Sequence, residues 1–100
     1  MIDWSTIIGF NWDDGNDQKS VDKHGVSRRE AEQVFLDSRL LILADEKHSV
    51  EESRFHAYGE TTTGRRLLIS FTLRQNASLI RVISSRDMSR REQARYEEEA

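Results

Sequence analysis

The apolar residues of this chain occur in short groups whose spacing predicts secondary structure. Alternating or continuous apolar positions predict β-strands in five stretches, at residues 7–12, 40–43, 54–59, 67–73 and 79–85. Turn-forming residues separate the last three stretches, at 61–64 and at 75–76. Strands joined by such short turns pair in antiparallel fashion, so we expect an antiparallel sheet of about four to five strands.

Helical signals lie on both sides of the strands. Two Ser-x-x-Glu capping boxes, at 27–30 and 89–92, each predict the start of a helix. A polar segment over 13–24 predicts an earlier helix, which ends at Gly25 because glycine readily adopts the left-handed cap conformation. The expected fold is α+β, with two N-terminal helices packed on one face of the sheet and a C-terminal helix. A chain of this length makes one domain, 1–100.

The same pattern divides the sheet into two faces, because successive side chains of a strand point to opposite sides. The predicted core face carries Phe55, Ala57, Gly59, Leu67, Ile69, Phe71, Leu73, Ile80 and Val82. The predicted opposite face carries Arg54, His56, Tyr58, Ser70, Thr72, Arg81 and Ser85. This second face is rich in hydrogen-bond donors, and it is either a solvated sheet face or a binding surface.

Composition narrows the possible functions. The chain has no cysteine, which excludes a disulfide scaffold and a thiolate zinc site. It has no long apolar run and no signal-peptide pattern, so we expect a cytoplasmic location and no membrane contact. The glycine motifs of nucleotide-binding loops and the Gly-x-Ser-x-Gly elbow are missing. The three histidines lack metal-ligand spacing, so we expect neither a metal nor another cofactor.

Charge is distributed unevenly along the chain, although the net charge is only −3. Residues 1–52 contain 6 Lys or Arg against 12 Asp or Glu, whereas residues 53–100 contain 9 Arg against 6 Asp or Glu. Arginine suits bidentate contact with phosphate or carboxylate. The arginines of the second half therefore either attract a polyanion, or they pair with the acidic first half or face solvent.

The polar residues could support metal-free RNA cleavage. That reaction needs a base for the ribose 2′-hydroxyl, cations for the charged phosphorane and an acid for the leaving oxygen. Histidine suits the proton transfers because its ordinary pKa lies near neutrality. The candidates for proton transfer are Lys23, His24, His48 and His56, and those for charge stabilisation are Arg54, Arg81 and Arg86. We expect His48, which lies in a charged loop, to be merely solvated.

Several segments, taken in order, are similar to one known family. Those in the first half are Phe10-Asn-Trp-Asp13, Lys23-His24-Gly25-Val26-Ser27, Glu30-Ala31 and Val34-Phe35. Those in the second half are Arg54-Phe55, Gly59, Gly64-Arg65-Arg66-Leu67-Leu68, Arg81-Val82-Ile83-Ser84-Ser85-Arg86, Arg90-Arg91-Glu92 and Arg95-Tyr96-Glu97. Each segment alone is a weak signal, but the ordered set, over roughly residues 8–97, resembles the BrnT ribonuclease toxins.

The resemblance implies a RelE-like fold, in which an antiparallel sheet has helices on one side. It implies an endoribonuclease that cleaves RNA and inhibits translation, as the toxin of a bacterial type II toxin–antitoxin system. It also implies a BrnA-like antitoxin that silences the toxin through its C-terminal part. The N-terminal part of that antitoxin would be a ribbon-helix-helix domain, so operator DNA is bound only through the antitoxin. Because such domains pair as dimers, the expected complex is a heterotetramer.

The resemblance and the predicted polar face together give candidate site residues. We expect Arg54 and Arg81 to clamp the scissile phosphate and Arg86 to hold the RNA backbone or to support the other two. Lys23 or His24, from the Lys-His-Gly element of the family, would transfer the proton. Further RNA-binding candidates are Arg65, Arg66, His56 and Tyr96. The last of these would either stack on a base or fasten the final helix to the sheet.

A second interpretation is that the protein is a non-catalytic module, which binds a protein or RNA partner through its Arg-rich sheet face. Fold alone does not exclude it, because one fold can carry many functions. The catalytic interpretation depends on Arg54 and Arg81 lying on one side of the sheet. It also requires that carboxylates of the chain do not hold both of them.

Overall fold

The structure, a computed structural model, describes residues 2–17 and 19–99, so residue 18 of the first predicted helix lies outside the described residues. Within these ranges are five strands and three α-helices. In chain order they are β1 (Gly9–Phe10), α1 (Lys19–His24), α2 (Arg28–Val34), β2 (Leu41–Ala44), β3 (Arg54–Glu60), β4 (Arg66–Arg74), β5 (Leu79–Asp87) and α3 (Arg90–Glu99). Short 3-10 turns occupy Trp4–Thr6 and Glu46–His48. No helix of the described chain is long and apolar enough to cross a membrane.

The five strands form one sheet in the order β1-β5-β4-β3-β2. The strands β2 to β5 pair in antiparallel fashion as predicted, but β1 runs parallel to β5. The fold is therefore α+β with a mixed sheet, and the prediction of a purely antiparallel sheet was wrong for this edge strand. Apolar alternation carries no information on strand direction, and β1 is joined to β5 through most of the chain rather than by a hairpin.

The helix ends follow the predicted local signals. Ser27 Oγ accepts the N–H of Glu30 at 3.1 Å, and the Glu30 carboxylate accepts the N–H of Ser27 at 3.0 Å. Ser89 and Glu92 exchange the same two hydrogen bonds before α3. Gly25 follows α1 with a φ of 64°, the left-handed conformation expected of a helix C-cap.

The first predicted helix is shorter than expected, since the segment after β1 forms a turn. The Asp13 carboxylate accepts the N–H of Gly15 at 2.8 Å, and the Asn16 side chain accepts the N–H of Asp13 at 2.8 Å. Asn16 also donates to the carbonyl of Val82 on β5, at 2.8 Å. These side chains bind backbone groups that a helix would otherwise use, and they fix the turn beside the sheet edge.

The main core lies between α2 and one face of the sheet. Its buried residues are Val26, Ala31, Val34, Ala57, Leu67, Ile69, Phe71, Ile80 and Val82. Phe35 packs edge-to-face on Phe71, with 5.1 Å between ring centroids. At Gly59 a Cβ atom would come within 2.8 Å of Val34 Cγ1, so only glycine allows this approach of the helix. The predicted core face is confirmed.

A β-bulge in the β4–β5 ladder changes which residues of β5 share a face. Ile83 has no partner on β4, and the alternation restarts after it. Ser84 and Arg86 consequently join Arg81 on the polar face, whereas Ser85 turns to the core and is 1% exposed. The prediction that Ser85 lies on the polar face was therefore wrong, because a strict period of two cannot anticipate an extra residue.

The helix α3 packs on the polar side of the sheet, opposite the main core. Its Tyr96 forms a second, smaller buried cluster with Tyr58, Leu68 and Met88. We call the sheet residues beneath this helix, Tyr58, Leu68 and Arg86, the covered half of the polar face. The rest of the face remains outside this cluster.

Candidate active site

The part of the polar face that α3 leaves uncovered, here called the open half, consists of two rows of residues across β3, β4 and β5. The first row is Arg54, Thr72 and Arg81, and the second is His56, Ser70 and Ser84. Residues paired across neighbouring strands point to the same side of a sheet. All of these side chains except the buried Thr72 are partly exposed. The open half is thus a polar surface that a ligand can reach.

Arg54 and Arg81 lie on the same side of the sheet, as the alternation predicted. Both pair with Thr72, one from β3 and the other from β5. A single strand between them places their Cα atoms about 10 Å apart. Two long arginine side chains at this spacing can converge on one anion held between them.

The two arginines differ in their partners within the chain. Arg81 Nη1 donates to Asn11 Oδ1 at 2.6 Å and to Asp13 Oδ2 at 2.9 Å. The hydrogen bond from Arg81 lowers the pKa of Asp13 below its ordinary value. Arg54 approaches Glu52 only to 3.8 Å, and its Nε has no hydrogen-bond partner among the described residues. Arg54 therefore has fewer partners within the chain than Arg81 has.

Arg86 shares this face but lies two rows away, in the covered half. Its Nη1 and Nη2 donate to the two carboxylate oxygens of Glu92 at 2.7 Å and 2.8 Å. This hydrogen-bonded pair, with the N–H of Ser89, lowers the pKa of Glu92 to about 2 despite its partial burial. Arg86 thus anchors α3 to β5, and the structure does not gather it with Arg54 and Arg81.

His56 lies beside the arginine row and is held at both ring nitrogens. Its Nε2 is 3.3 Å from Asp45 Oδ2, and its Nδ1 is 3.2 Å from Ser70 Oγ. Asp45 also binds His48 Nδ1 at 2.9 Å, so His48, although 57% exposed, is not merely solvated. Burial acts to raise the pKa of Asp45, but the contacts with His48 and His56 outweigh it and the pKa is lowered.

Lys23 and His24, the expected proton-transfer residues, lie at the end of α1 and away from the open half. The carbonyl of His24 accepts from Arg65 Nη2 at 3.2 Å, and Arg65 also binds Asp87 at 2.7 Å. Asp87 pairs with Leu67 of the core face, so these contacts hold the end of α1 on the helix side of the sheet. The end of α1 lies on this side because the chain continues directly into α2, which packs on the core face of the sheet.

Two predicted RNA-binding arginines are engaged in ion pairs within the protein. Arg65 binds Asp87 at 2.7 Å and Glu30 at 3.1 Å, and these hydrogen bonds raise its pKa further above the ordinary value. Arg66 binds Glu97 of α3 at 2.6 Å. These contacts fasten the helices to the sheet, so the geometry favours a structural role for both arginines.

Tyr96 fastens α3 to the rest of the fold. Its ring is 1% exposed, which leaves no face open for a stacked base. Its hydroxyl donates to Asp37 Oδ2 at 2.5 Å, and the guanidinium groups of Arg39 and Arg66 lie over the ring at 4.9 Å and 5.3 Å. Burial and the bond to Asp37 raise the pKa of Tyr96 to about 12.

Sequence reasoning missed the carboxylates that surround the open half, namely Asp13, Asp45 and Glu52. The antiparallel pairing of β2 with β3 is the feature that predicts the position of Asp45. It continues to Asp45, whose N–H donates to the carbonyl of Arg54 at 2.8 Å, and it thereby brings the carboxylate next to His56. Across residues 2–17 and 19–99, no group of three or more His, Asp or Glu side chains is arranged to hold a metal ion.

Comparison with known proteins identifies the family. A family model described as ribonuclease toxin, BrnT, of type II toxin–antitoxin system matches residues 12–92. The chain belongs to this family, which confirms the resemblance found in the sequence. Membership implies an RNA substrate and an antitoxin partner.

A solved structure supports the same fold. The chain is similar to the crystal structure of the Brucella abortus ribonuclease toxin BrnT, with a TM-score of 0.62 and 20% sequence identity. The match covers 83% of this chain and 99% of that chain. No curated protein matches the sequence.

Proposed function

We propose that this protein is a metal-independent endoribonuclease that cleaves RNA on the open half and thereby inhibits translation in the cytoplasm. The observation that carries the proposal is the row in which Arg54 and Arg81 lie on one partly exposed sheet face. Membership of the ribonuclease toxin family supports RNA as the substrate. The fold we propose to be RelE-like, with the sheet face as the platform for the nucleic acid.

Two guanidinium groups on a rigid sheet suit the charge that develops during phosphodiester cleavage. Arg54 is loosely held and can bind a phosphate oxygen directly. Arg81 must exchange Asp13 for the phosphate, and the carboxylate it would leave is 57% exposed and readily hydrated. As phosphorus becomes five-coordinate, the negative charge on its free oxygens grows, and the fixed donors then bind more tightly than they bind the ground state.

The remaining candidates take supporting roles in this proposal. Arg86 positions α3 at the border of the open half through its contact with Glu92. Lys23 is exposed at the end of α1, and with His24 it would contact RNA that extends past the end of β5. Neither residue would reach the scissile phosphate.

The neutralising partner in this proposal is a BrnA-like antitoxin with a ribbon-helix-helix domain. An acidic or amphipathic segment of it would cover the open half and displace RNA by binding the same arginines. Pairing of two such domains would give a heterotetramer, which meets operator DNA through the antitoxin alone. A complex in which Arg54 and Arg81 both stay accessible to solvent would contradict this arrangement.

Incubation of the purified protein with a single-stranded RNA in EDTA tests the proposed activity. We expect cleavage by the wild type, and a loss of about 10²-fold to 10³-fold in rate for Arg54→Ala and Arg81→Ala. Arg91→Ala, which removes an exposed arginine of α3, is the matched control and should cleave normally. In cells, a folded Arg81→Ala protein should relieve growth arrest. Absence of cleavage by the wild type would contradict the proposal.

The non-catalytic module is the second candidate, and one observation favours it. Arg81 and Arg86 are both bound to carboxylates of the chain, Asp13 and Glu92, which reduces the free positive charge of the polar face. A module of this kind would bind its partner with a steep salt dependence and leave RNA intact. The same incubation in EDTA therefore separates the two functions.

A further inference from the structure

We infer that His56 is the group that takes the proton from the ribose 2′-hydroxyl, with Asp45 as its positioning residue. This inference rests on the proposed function and names a residue for one of its steps. It replaces the expectation that Lys23 or His24 acts as the base, since both lie on the helix side of the sheet.

The position of His56 is the first support. It lies two residues from Arg54 on β3, so their Cα atoms are about 7 Å apart and their side chains share a face. Its row is next to the row that places Arg54 and Arg81. Among the described histidines, it is the one that the sheet pairing puts on the open half. A nucleotide whose phosphate lies between the arginines would have its ribose within reach of this ring.

The contacts of the ring are the second support. A carboxylate can only accept, so Asp45 Oδ2, which lies at an ion-pair distance of 3.3 Å from Nε2, favours the tautomer with its hydrogen on Nε2. In that tautomer Nδ1 carries the lone pair and accepts from the hydroxyl of Ser70 at 3.2 Å. Ser70 lies on the open half, so the basic nitrogen faces the side from which a substrate hydroxyl can replace the serine.

Asp45 supports this role through its burial. Its side chain is only 10% exposed, so the surrounding chain restrains the carboxylate, which can in turn position the ring of His56. His48 shares the same carboxylate but is 57% exposed, and it belongs to the 3-10 turn rather than to the sheet. His48 is therefore the natural control for His56.

The proposed step conserves atoms and charge. Nδ1 of His56 takes the proton of the 2′-hydroxyl, and the 2′-oxygen forms a bond to phosphorus as the bond from phosphorus to the 5′-oxygen breaks. The leaving 5′-oxygen takes a proton from water, and His56 returns its proton to the hydroxide so formed. The products are a 2′,3′-cyclic phosphate and a 5′-hydroxyl end.

Cleavage of a defined RNA, measured beside binding of its uncleavable 2′-deoxy analogue, tests the role of His56. We expect His56→Gln to keep its affinity for the analogue while its cleavage rate falls by about 10²-fold to 10⁴-fold. His48→Gln should cleave at nearly the wild-type rate. If His56→Gln cleaves normally while the wild type is active, the inference is wrong and the proposed function stands. If the wild type does not cleave, the proposed function itself fails.

The variant Asp45→Asn provides a second test that does not depend on the folding of His56→Gln. We expect its cleavage rate to fall by about tenfold to 10²-fold while its affinity for the 2′-deoxy analogue stays near that of the wild type, because the ring of His56 loses the carboxylate that positions it. The thermal unfolding curve checks that this variant is folded. A folded Asp45→Asn protein that cleaves at the wild-type rate would overturn the role of Asp45.

Discussion

The two halves of the polar sheet face use the same residue type for different purposes. In the covered half, Arg86 meets a carboxylate of α3, and two hydrogen bonds to Glu92 fix its guanidinium to the helix. In the open half, Arg54 has only a distant approach of 3.8 Å to Glu52. Arg86 is therefore structural where α3 packs on this face, whereas Arg54 is available to a ligand where no helix packs.

The carboxylates of the two halves differ in their exposure to solvent. The side chain of Glu92 is 21% exposed and that of Asp13 is 57% exposed, whereas the arginines differ in the opposite sense, with Arg86 41% and Arg81 20% exposed. A well-hydrated carboxylate loses little when its partner leaves, since water replaces the lost contact. Asp13 can therefore give way to a phosphate at Arg81 more readily than Glu92 can release Arg86. Binding of an anion should accordingly change the open half and leave α3 in place.

The largest effect is expected in the covered half, for Tyr96→Ala. This change empties the centre of the second cluster and leaves Asp37 without its donor, so the free energy of unfolding should fall by about 3–5 kcal/mol. Urea denaturation followed by tryptophan fluorescence measures it. Arg91→Ala, on the exposed side of the same helix, is the control and should leave stability nearly unchanged. A stable Tyr96→Ala protein would mean that α3 does not depend on this residue.

The fold shows which features local sequence signals can predict. The capping boxes, Gly25 and the long strands could be predicted because each depends on neighbouring residues. The parallel direction of β1 and the bulge at Ile83 could not, because both are set by strand pairing between distant parts of the chain. The turn after β1 has the same origin, since Asn16 binds the carbonyl of Val82 on β5.

The features of the site likewise divide into those that local sequence predicts and those that depend on distant parts of the chain. Alternation along the strands was enough to put Arg54, His56 and Arg81 on one face. It could not show that Asp13 forms an ion pair with Arg81, because that contact joins a turn to a strand far along the chain. It also could not place His24, whose position follows from the packing of α2. Strand position is thus more predictable than the partner of a charged side chain.

The second prediction concerns RNA affinity and compares one arginine from each half of the face. Arg54→Ala should weaken binding of a single-stranded RNA about tenfold, because one charged hydrogen-bond donor to phosphate is lost. The slope of log affinity against log salt concentration should become less steep by about 0.7. Arg86→Ala should instead lower stability and leave the affinity of the folded protein almost unchanged. Fluorescence anisotropy titrations at several salt concentrations measure both. Equal losses of affinity in the two variants would remove the distinction between the halves.

The third prediction is a pH dependence of stability that arises in the covered half. The pKa of Glu92 is lowered from 4.5 to about 2 in the folded protein. Because folding lowers this pKa, the stability that the carboxylate contributes is complete above its unfolded value and is lost as pH falls towards the folded value. We expect a contribution on the order of 1–2 kcal/mol, since Arg86 is partly exposed to water.

Comparison of the wild type with Glu92→Gln isolates this contribution from those of other carboxyl groups. The amide keeps an oxygen for the N–H of Ser89 but loses the charge that binds Arg86. The difference in unfolding free energy between the two proteins should be largest near about pH 6 and should shrink towards about pH 2.5. A difference that does not change with pH would show that the charge of Glu92 does not stabilise α3.

The smallest effect is expected in the open half, for Asp13→Asn. Loss of this charge weakens the hold on Arg81, so RNA should bind a few-fold more tightly. Asp14→Asn is the matched control, because Asp14 is an exposed neighbour of the same charge. Both changes raise the net charge equally, and the same anisotropy titration compares them.

The comparison of the two aspartates decides whether contact or net charge matters. If only Asp13→Asn binds RNA more tightly, the carboxylate competes with phosphate for Arg81. The RNA affinity of the open half is then lowered by a contact within the protein itself. Equal gains in both variants would mean that a long-range field acts on the RNA and that the ion pair is incidental. In that case Arg54 would be the principal phosphate ligand, because no carboxylate holds its guanidinium by a hydrogen bond in the described residues.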